Sequence, residues 1–244
     1  MPDFSSSVKD MQVQRGAGTS TNGAGAFGAS VNMQTEGASM KPYAEFNGSY
    51  GSFNTHKETA KVGTGLLNNH WTFDARLSNI GTDGYIDRAS VDLNSYYLQG
   101  GYFAENTSVK LIAFAGKEKT YHAWGYATKE QMEEFGRRYN PCGETYTDAN
   151  GKKHYYDDQT DNYLQKNYQL LFNHTFSTAW NLNVALHYTK GDGYYEEYKD
   201  DRYLAEYGLK PFTIDGTEIA KSDLRRWTTN LAVVFFPSIT QPTG

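Results

Sequence analysis

The chain has 244 residues, a net charge of -5 and 15% aromatic residues, with 20 Tyr and 13 Phe beside 24 Gly and a mean hydropathy of -0.71. So many rings exclude a disordered chain, and Lys and Arg are neither in excess nor clustered, which removes the electrostatic case for a nucleic-acid partner. No run of about 18 apolar residues exists, so a membrane-spanning helix is excluded while a membrane-spanning barrel is not.

The N-terminal stretch MPDFSSSVKDMQVQRG lacks the charged-then-apolar pattern of an export signal. It runs into Arg15 to Thr35, RGAGTSTNGAGAFGASVNMQT, where Gly23, Gly25 and Gly28 spell G-x-G-x-x-G. A dinucleotide turn of that spelling needs a buried strand before it and a helix after it. Gln14 to Asn22 contains no apolar run for a central parallel strand, and Val31 and Met33 alternate with Asn32 and Gln34 at period two. The stretch is therefore expected to be a glycine-rich turn feeding a strand, with no nucleotide and no other cofactor.

From Tyr43 onward the chain reads as successive strands. Trp71, Phe73, Ala75 and Leu77 oppose Thr72, Asp74, Arg76 and Ser78, which makes a two-faced strand. Trp180, Leu182, Val184, Leu186 and Tyr188 repeat the pattern, and so do Tyr168, Leu170, Phe172 and Phe176. Ala60, Val62, Thr64 and Leu66 are a weaker case, as are Tyr96, Leu98, Gly100 and Tyr102. Val109 to Gly116 is apolar on both faces and leaves its orientation open.

These segments run about 9 to 11 residues, the length a tilted strand needs to cross a bilayer. The expected connections alternate in length. Leu67 to His70, Ala104 to Ser108 and Ser177 to Ala179 are short, whereas Gly81 to Asn94, Glu118 to Gln165 and Gly191 to Arg226 are long; the hairpin around Gly51 to His56 is the short exception on the long side. Tight turns at one end and extended loops at the other mark an outer-membrane barrel. With that orientation Trp71, Tyr102, Phe176 and Trp180 form one aromatic girdle, and Tyr50, Tyr96, Tyr168, Tyr188 and Trp227 the other. A soluble β-sandwich would also alternate, but a link as long as Glu118 to Gln165 argues against it.

The stretch RGAGTSTNGAGAFGASVNMQT, preceded by Met11-Gln12-Val13-Gln14, closely resembles the end of the plug domain of TonB-dependent outer-membrane receptors, in the GTSTNGAGAFG form of Bacteroidetes-type proteins. Its motif residues here are Arg15, Gly16, Gly18, Thr19, Ser20, Thr21, Asn22, Gly23, Gly25, Phe27 and Gly28. Tyr50-Gly51-Ser52-Phe53-Asn54-Thr55 resembles the first barrel hairpin, Thr82-Asp83-Gly84-Tyr85-Ile86-Asp87-Arg88-Ala89 an early loop, and Lys119-Thr120-Tyr121-His122-Ala123-Trp124 the start of a large external loop. The likeness covers most of residues 10 to 227. It implies a plug inside a barrel of about 22 strands, located in the cell outer membrane. It also implies energised uptake of a small-molecule or glycan ligand such as an iron-siderophore complex or cobalamin. The implied partners are outer-membrane lipid, the ligand and the TonB complex, the last reached through an N-terminal segment missing from this chain.

The expected fold is all-β: the C-terminal remnant of a plug domain over residues 1–40, then residues 41–244 as the N-terminal portion of a transmembrane antiparallel β-barrel with about eight strands. Without a signal sequence, a TonB box or most of the plug, the chain is expected to be a fragment that does not transport by itself. A non-transporting β-rich outer-membrane or surface binding protein is the alternative. After Trp227 the run Thr228 to Ser238 turns continuously apolar, which suggests either a disrupted reading frame or a divergent last strand.

No catalytic constellation is identifiable: Glu133-Glu134 and Asp157-Asp158 are adjacent rather than set across a cleft, so no enzyme is expected. His122, His154, His174 and His187 are scattered and Cys142 stands alone, which gives no metal site. The acidic stretch Gly191 to Asp201 lacks calcium-loop spacing and reads as a solvated external loop. Glu130 to Gly136 reads as a short helix ending at its glycine. Asp74 and Arg76 lie on the polar strand face and are expected to face the lumen and contact the plug.

Overall fold

The computed structural model describes residues 7–16 and 28–235. Its first element is an antiparallel hairpin, β1 (Val8–Arg15) with β2 (Ala29–Thr35), in which Val13 sits opposite Val31 and Met11 opposite Met33. A strand therefore does lead into the glycine-rich stretch. It pairs antiparallel with the strand that follows, whereas a dinucleotide turn belongs to a parallel strand–helix–strand unit; residues 17–27 lie outside the described residues. The alternation of β2 was legible; β1 was not, because Lys9, Asp10 and Gln12 leave it too polar to stand out.

The body is one open antiparallel sheet in which each strand pairs with its neighbours in chain order, apart from two small hairpins inserted in loops. Its strands are β3 (Pro42–Gly51), β4 (Thr55–Thr64), β5 (Trp71–Thr82), β6 (Val91–Phe103), β7 (Thr107–Tyr121), β10 (Thr160–Ser177), β11 (Trp180–Tyr203) and β14 (Lys221–Phe235). Among the described residues the sheet has eight strands, with β3 and β14 at its edges. The loop between β7 and β10 carries α1 (Lys129–Phe135) and the hairpin β8 (Glu144–Thr147) with β9 (Lys153–Tyr155). The loop before β14 carries a 3-10 turn (Leu204–Tyr207) and the hairpin β12 (Phe212–Ile214) with β13 (Thr217–Ile219).

Turn chemistry explains the tight end. Asn68 (φ 47°) and Asn69 (φ 58°) both occupy the left-handed region between β4 and β5, where Asn is tolerated, in a three-residue loop whose His70 N–H donates to the Leu67 carbonyl at 3.0 Å. Gly65 (φ 67°) is required beside them, since a Cβ there would lie 2.6 Å from the Pro42 nitrogen. Helix α1 is set by a capping box, with Thr128 and Gln131 each accepting from the other's backbone N–H, and it stops at Gly136.

Several strands run beyond their expected ends. The strand β7 continues to Tyr121, β10 begins at Thr160, and β11 reaches Tyr203, so the acidic stretch Gly191 to Asp201 is strand and not loop. Gly191 pairs with Gln165 on one side and Leu231 on the other. Both faces are polar at this level, which erases the hydrophobic alternation while leaving the backbone ladder intact. The apolar tail remains a strand as far as Phe235, as β14 pairs with β11 from Lys221 opposite Tyr203 to Phe235 opposite His187; residues 236–238 lie outside the described residues. An edge strand needs hydrogen bonds on one side only, so it does not need the dyad pattern to hold register.

The two faces of the sheet differ in kind. Thr72, Arg76, Ser78, Ser95, Tyr97, Gln99, Ile112, Phe114 and Asn167 are buried, and the β1–β2 hairpin lies over this side. The opposite side carries Val62, Leu77, Leu98, Leu111, Tyr168, Leu186 and Tyr188, all more than a third exposed. Register aligns Val62, Ala75, Leu98, Ala113, Tyr168 and Tyr188 in one row across it. Among the described residues no second layer covers that row. The ambiguous Val109 to Gly116 segment is resolved by its neighbours: Ile112 (4% exposed) and Phe114 turn under the hairpin, while Leu111 (59%) turns outward.

Candidate functional site

The hairpin-covered side is polar at its centre. Asp74 accepts from the Tyr43 hydroxyl at 3.2 Å and from Gln99 Nε2 at 3.3 Å, and the Tyr97 hydroxyl donates to Gln99 Oε1 at 2.9 Å. Arg76 donates through Nη2 to Ser95 Oγ at 3.2 Å. These groups sit on β3, β5 and β6 at adjacent positions because alternate residues of paired strands share a face. A small cavity is bounded by Asp74, Arg76, Tyr97 and Gln99 from the wall, and by Ser7, Glu36 and Gly37 from the hairpin. The Glu36 carboxylate also accepts from Lys61 Nζ of β4 at 3.1 Å. Asp74 and Arg76 are thus placed where wall and hairpin meet.

Further along the same side, a cavity of about 1020 Å³ separates the hairpin from β7 and β10. Its lining mixes Met11 and Met33 of the hairpin with Ile112, Phe114, Gln165 and Asn167 of the wall. It is large enough for a drug-sized molecule.

At the long-loop end, period two carries His122 past the end of β7 onto the same side as Phe114. Its ring is 2% exposed and stacks on Trp124 with centroids 3.8 Å apart, while Tyr195 of β11 approaches to 6.1 Å. Neither ring nitrogen has a hydrogen-bond partner. Burial pushes the His122 pKa below the ordinary histidine value, against the pull of Glu197 and Asp161, so the imidazole is held neutral. Trp124 remains half exposed and offers a stacking face at the mouth of the wall.

The long loop is bolted to the one before it by Arg88, which holds a left-handed backbone (φ 62°). Its Nη2 donates to the carbonyls of Asn140 and Cys142, and its guanidinium lies 3.3 Å over the Tyr155 ring. Asn140, 1% exposed, donates through Nδ2 to the carbonyls of Asp87 and His122, each at 3.0 Å. On β8 and β9, burial would raise the Glu144 pKa, but hydrogen bonds from Lys153 and Tyr139 prevail and hold it low. The Tyr156 hydroxyl donates to Glu196, which together with burial pushes its pKa up to about 12.

Of the glycine-rich motif, Arg15, Gly16 and Gly28 are described: Gly16 N–H donates to the Gly28 carbonyl at 2.8 Å and closes the hairpin base. Gly18, Thr19, Ser20, Thr21, Asn22, Gly23, Gly25 and Phe27 lie outside the described residues, as does the Trp227 side chain. Among the described residues no three His, Cys, Asp or Glu side chains come together to hold a metal ion. The sequence reading missed the His122, Trp124 and Tyr195 cluster and the Arg88 bolt. Continuing the period of two through Lys117 to His122 would have signalled the first; nothing local signals the second.

No protein-family model matches the chain, and no curated protein sequence matches it. Among solved structures, it is similar to the ferric-catecholate import receptor Fiu of Escherichia coli K12 in its closed form, at 13% identity and a TM-score of 0.60, over 90% of this chain and 31% of that one. The ferripyoverdine receptor of the outer membrane of Pseudomonas aeruginosa, bound to ferripyoverdine, matches at 11% identity and a TM-score of 0.49, over 96% of this chain and 44% of that one. The chain spans less than half the length of either receptor. At such identity the first likeness establishes the fold alone: a partial all-β barrel.

Proposed function

We propose that the chain is part of an outer-membrane, TonB-dependent receptor that imports a scarce small ligand. The observation that carries this reading is the opposite character of the two sheet faces. One is wet and covered by a plug-like hairpin, whereas the other presents a bare apolar row flanked by aromatic rings. A bare row of that kind is costly in water and at home in a bilayer. The 1020 Å³ cavity beside the hairpin and the Trp124 face at the mouth supply a place for a ligand to enter and rest. The ferric-catecholate specificity of the E. coli neighbour favours an iron-siderophore complex over a glycan. An open sheet of eight strands encloses no pathway of its own, so the arc by itself is not expected to transport.

The test is uptake of iron-55 as ferric-catecholate complexes into cells that lack their own receptors but produce the longer protein containing this chain. Uptake that disappears with a protonophore supports the reading. Uptake that persists without energy, or recovery of the protein in the soluble fraction without detergent, refutes it.

A further inference from the structure

Ser7 immediately precedes β1 and is 2% exposed, and its carbonyl accepts from the Glu36 N–H at 3.0 Å, which ties it to the end of β2. Among the described residues its Oγ has no hydrogen-bond partner. A buried hydroxyl left in that state is costly, and folded proteins nearly always satisfy it. Across the gap, the Tyr43 hydroxyl donates to one Asp74 oxygen and Gln99 Nε2 to the other. An ionised carboxylate offers about four lone-pair sites, so acceptor capacity remains on the wall side.

The gap is the small cavity that Ser7, Glu36 and Gly37 bound from the hairpin and Asp74, Arg76 and Gln99 from the wall. Its volume is about 20 Å³. Roughly 10–15 Å³ of such space accommodates one water molecule, so the cavity takes one and is too small for a larger solute. The charged groups that line it balance, Glu36 and Asp74 against Lys61 and Arg76, and Glu36 is already paired with Lys61 at 3.1 Å. A balanced lining favours neither a cation nor an anion. A neutral molecule that both donates and accepts matches the hydroxyl and the carboxylate together.

We propose that this cavity is a binding site for a single water molecule, which bridges Ser7 Oγ to the Asp74 carboxylate and is a fixed part of the junction between hairpin and wall. A bridge of that kind is nearly as favourable as a direct hydrogen bond. The open end of the hairpin is then gripped at two points. Lys61 holds the end of β2 through Glu36, and Asp74 holds the start of β1 through the water and Ser7, which makes Ser7 a positioning residue. The inference rests on the junction alone and does not depend on the receptor reading.

The test is radiolytic hydroxyl labelling of the full chain in water enriched in oxygen-18, read by mass spectrometry. Tyr97 is buried and lines the cavity, so radicals from bulk solvent reach its ring poorly, whereas one generated from the bound water arises beside it. Oxygen-18 incorporation at Tyr97 is expected in the parent. In Ser7→Val, which removes the hydroxyl and fills the space, it should fall on the order of tenfold, with no change at Tyr121, buried at the far end of β7. Ser7→Ala should give a smaller fall, because the space remains while one partner of the water is lost. Hydrogen exchange of the Glu36 amide reports whether each variant keeps the hairpin docked.

An unlabelled Tyr97 in the parent, or an undiminished label in Ser7→Val with the hairpin docked, overturns the water site. Where Ser7→Val undocks the hairpin, Ser7→Ala decides: a fall supports the site and an undiminished label overturns it. A parent label that disappears when sodium chloride is raised to molar concentration shows an ion in the cavity and overturns the water as well. Each of these failures leaves the receptor reading standing.

Discussion

Replacing Arg88 with Ala should unlatch the long loop between β7 and β10 without disturbing the sheet. The substitution removes donors to two carbonyls, Asn140 and Cys142, and a guanidinium stacked 3.3 Å over Tyr155. Hydrogen bonds from charged groups are worth about 1.5–3 kcal/mol each and a cation–π contact about 0.5–2. Because the contacts share one side chain and part of it is wet, they do not add, and roughly 3 kcal/mol is the expected net loss. At 1.4 kcal/mol per factor of ten, the open state of the loop should become on the order of a hundredfold more populated.

Hydrogen exchange reads this directly at the amides of Asp87, Cys142 and Tyr156, which donate to Arg138 O, Asn140 Oδ1 and Gly143 O at 2.8, 3.0 and 2.7 Å. Their protection should fall by about that factor while the β10 and β11 amides stay as slow as before. Arg88→Lys should lie between, since an ammonium cannot span both carbonyls and stack at once. Protection within about threefold of the parent at all three amides would refute the bolt.

Leu98→Arg places a charge in the middle of the bare apolar row and should cost about 2–4 kcal/mol of membrane insertion, visible as lost outer-membrane recovery; a soluble sandwich would lose none of it. Asp74→Leu and Arg76→Leu should loosen the hairpin, seen as faster exchange in β2, more than they impair insertion, and equal insertion defects would count against the wall–hairpin contact. The Glu144 carboxyl is held below its unfolded value of 4.5, so its contribution is present above that pH and is lost as pH falls through the lower folded value. Protection of the β8–β9 hairpin should decline only in that acid range, and Lys153→Met should shift the decline upward. The His122 pKa is lowered by burial, so the unfolded loop binds protons first, and the mouth should loosen as pH drops below the ordinary histidine value of 6.5. In His122→Phe, which keeps a ring against Trp124, indole fluorescence should lose that pH dependence.

The amino-acid order determined the sheet by itself. Trp71 to Ser78 and Trp180 to Tyr188 alternate because in each the two faces differ in polarity, and that contrast is written residue by residue. It also set the turns at Asn68-Asn69 and the helix after Thr128, which depend on neighbours only a few positions away. Where both faces are polar, as in Gly191 to Asp201, or where a strand lies at the sheet edge, as in β14, the same logic falls silent. There the ladder to a partner strand decided the outcome. Only the tertiary structure could bring Arg88 to Asn140, 52 residues further on, or seat Glu36 against Lys61. Such contacts arise from register and loop packing, and no local pattern in one segment carries information about what will stand opposite it.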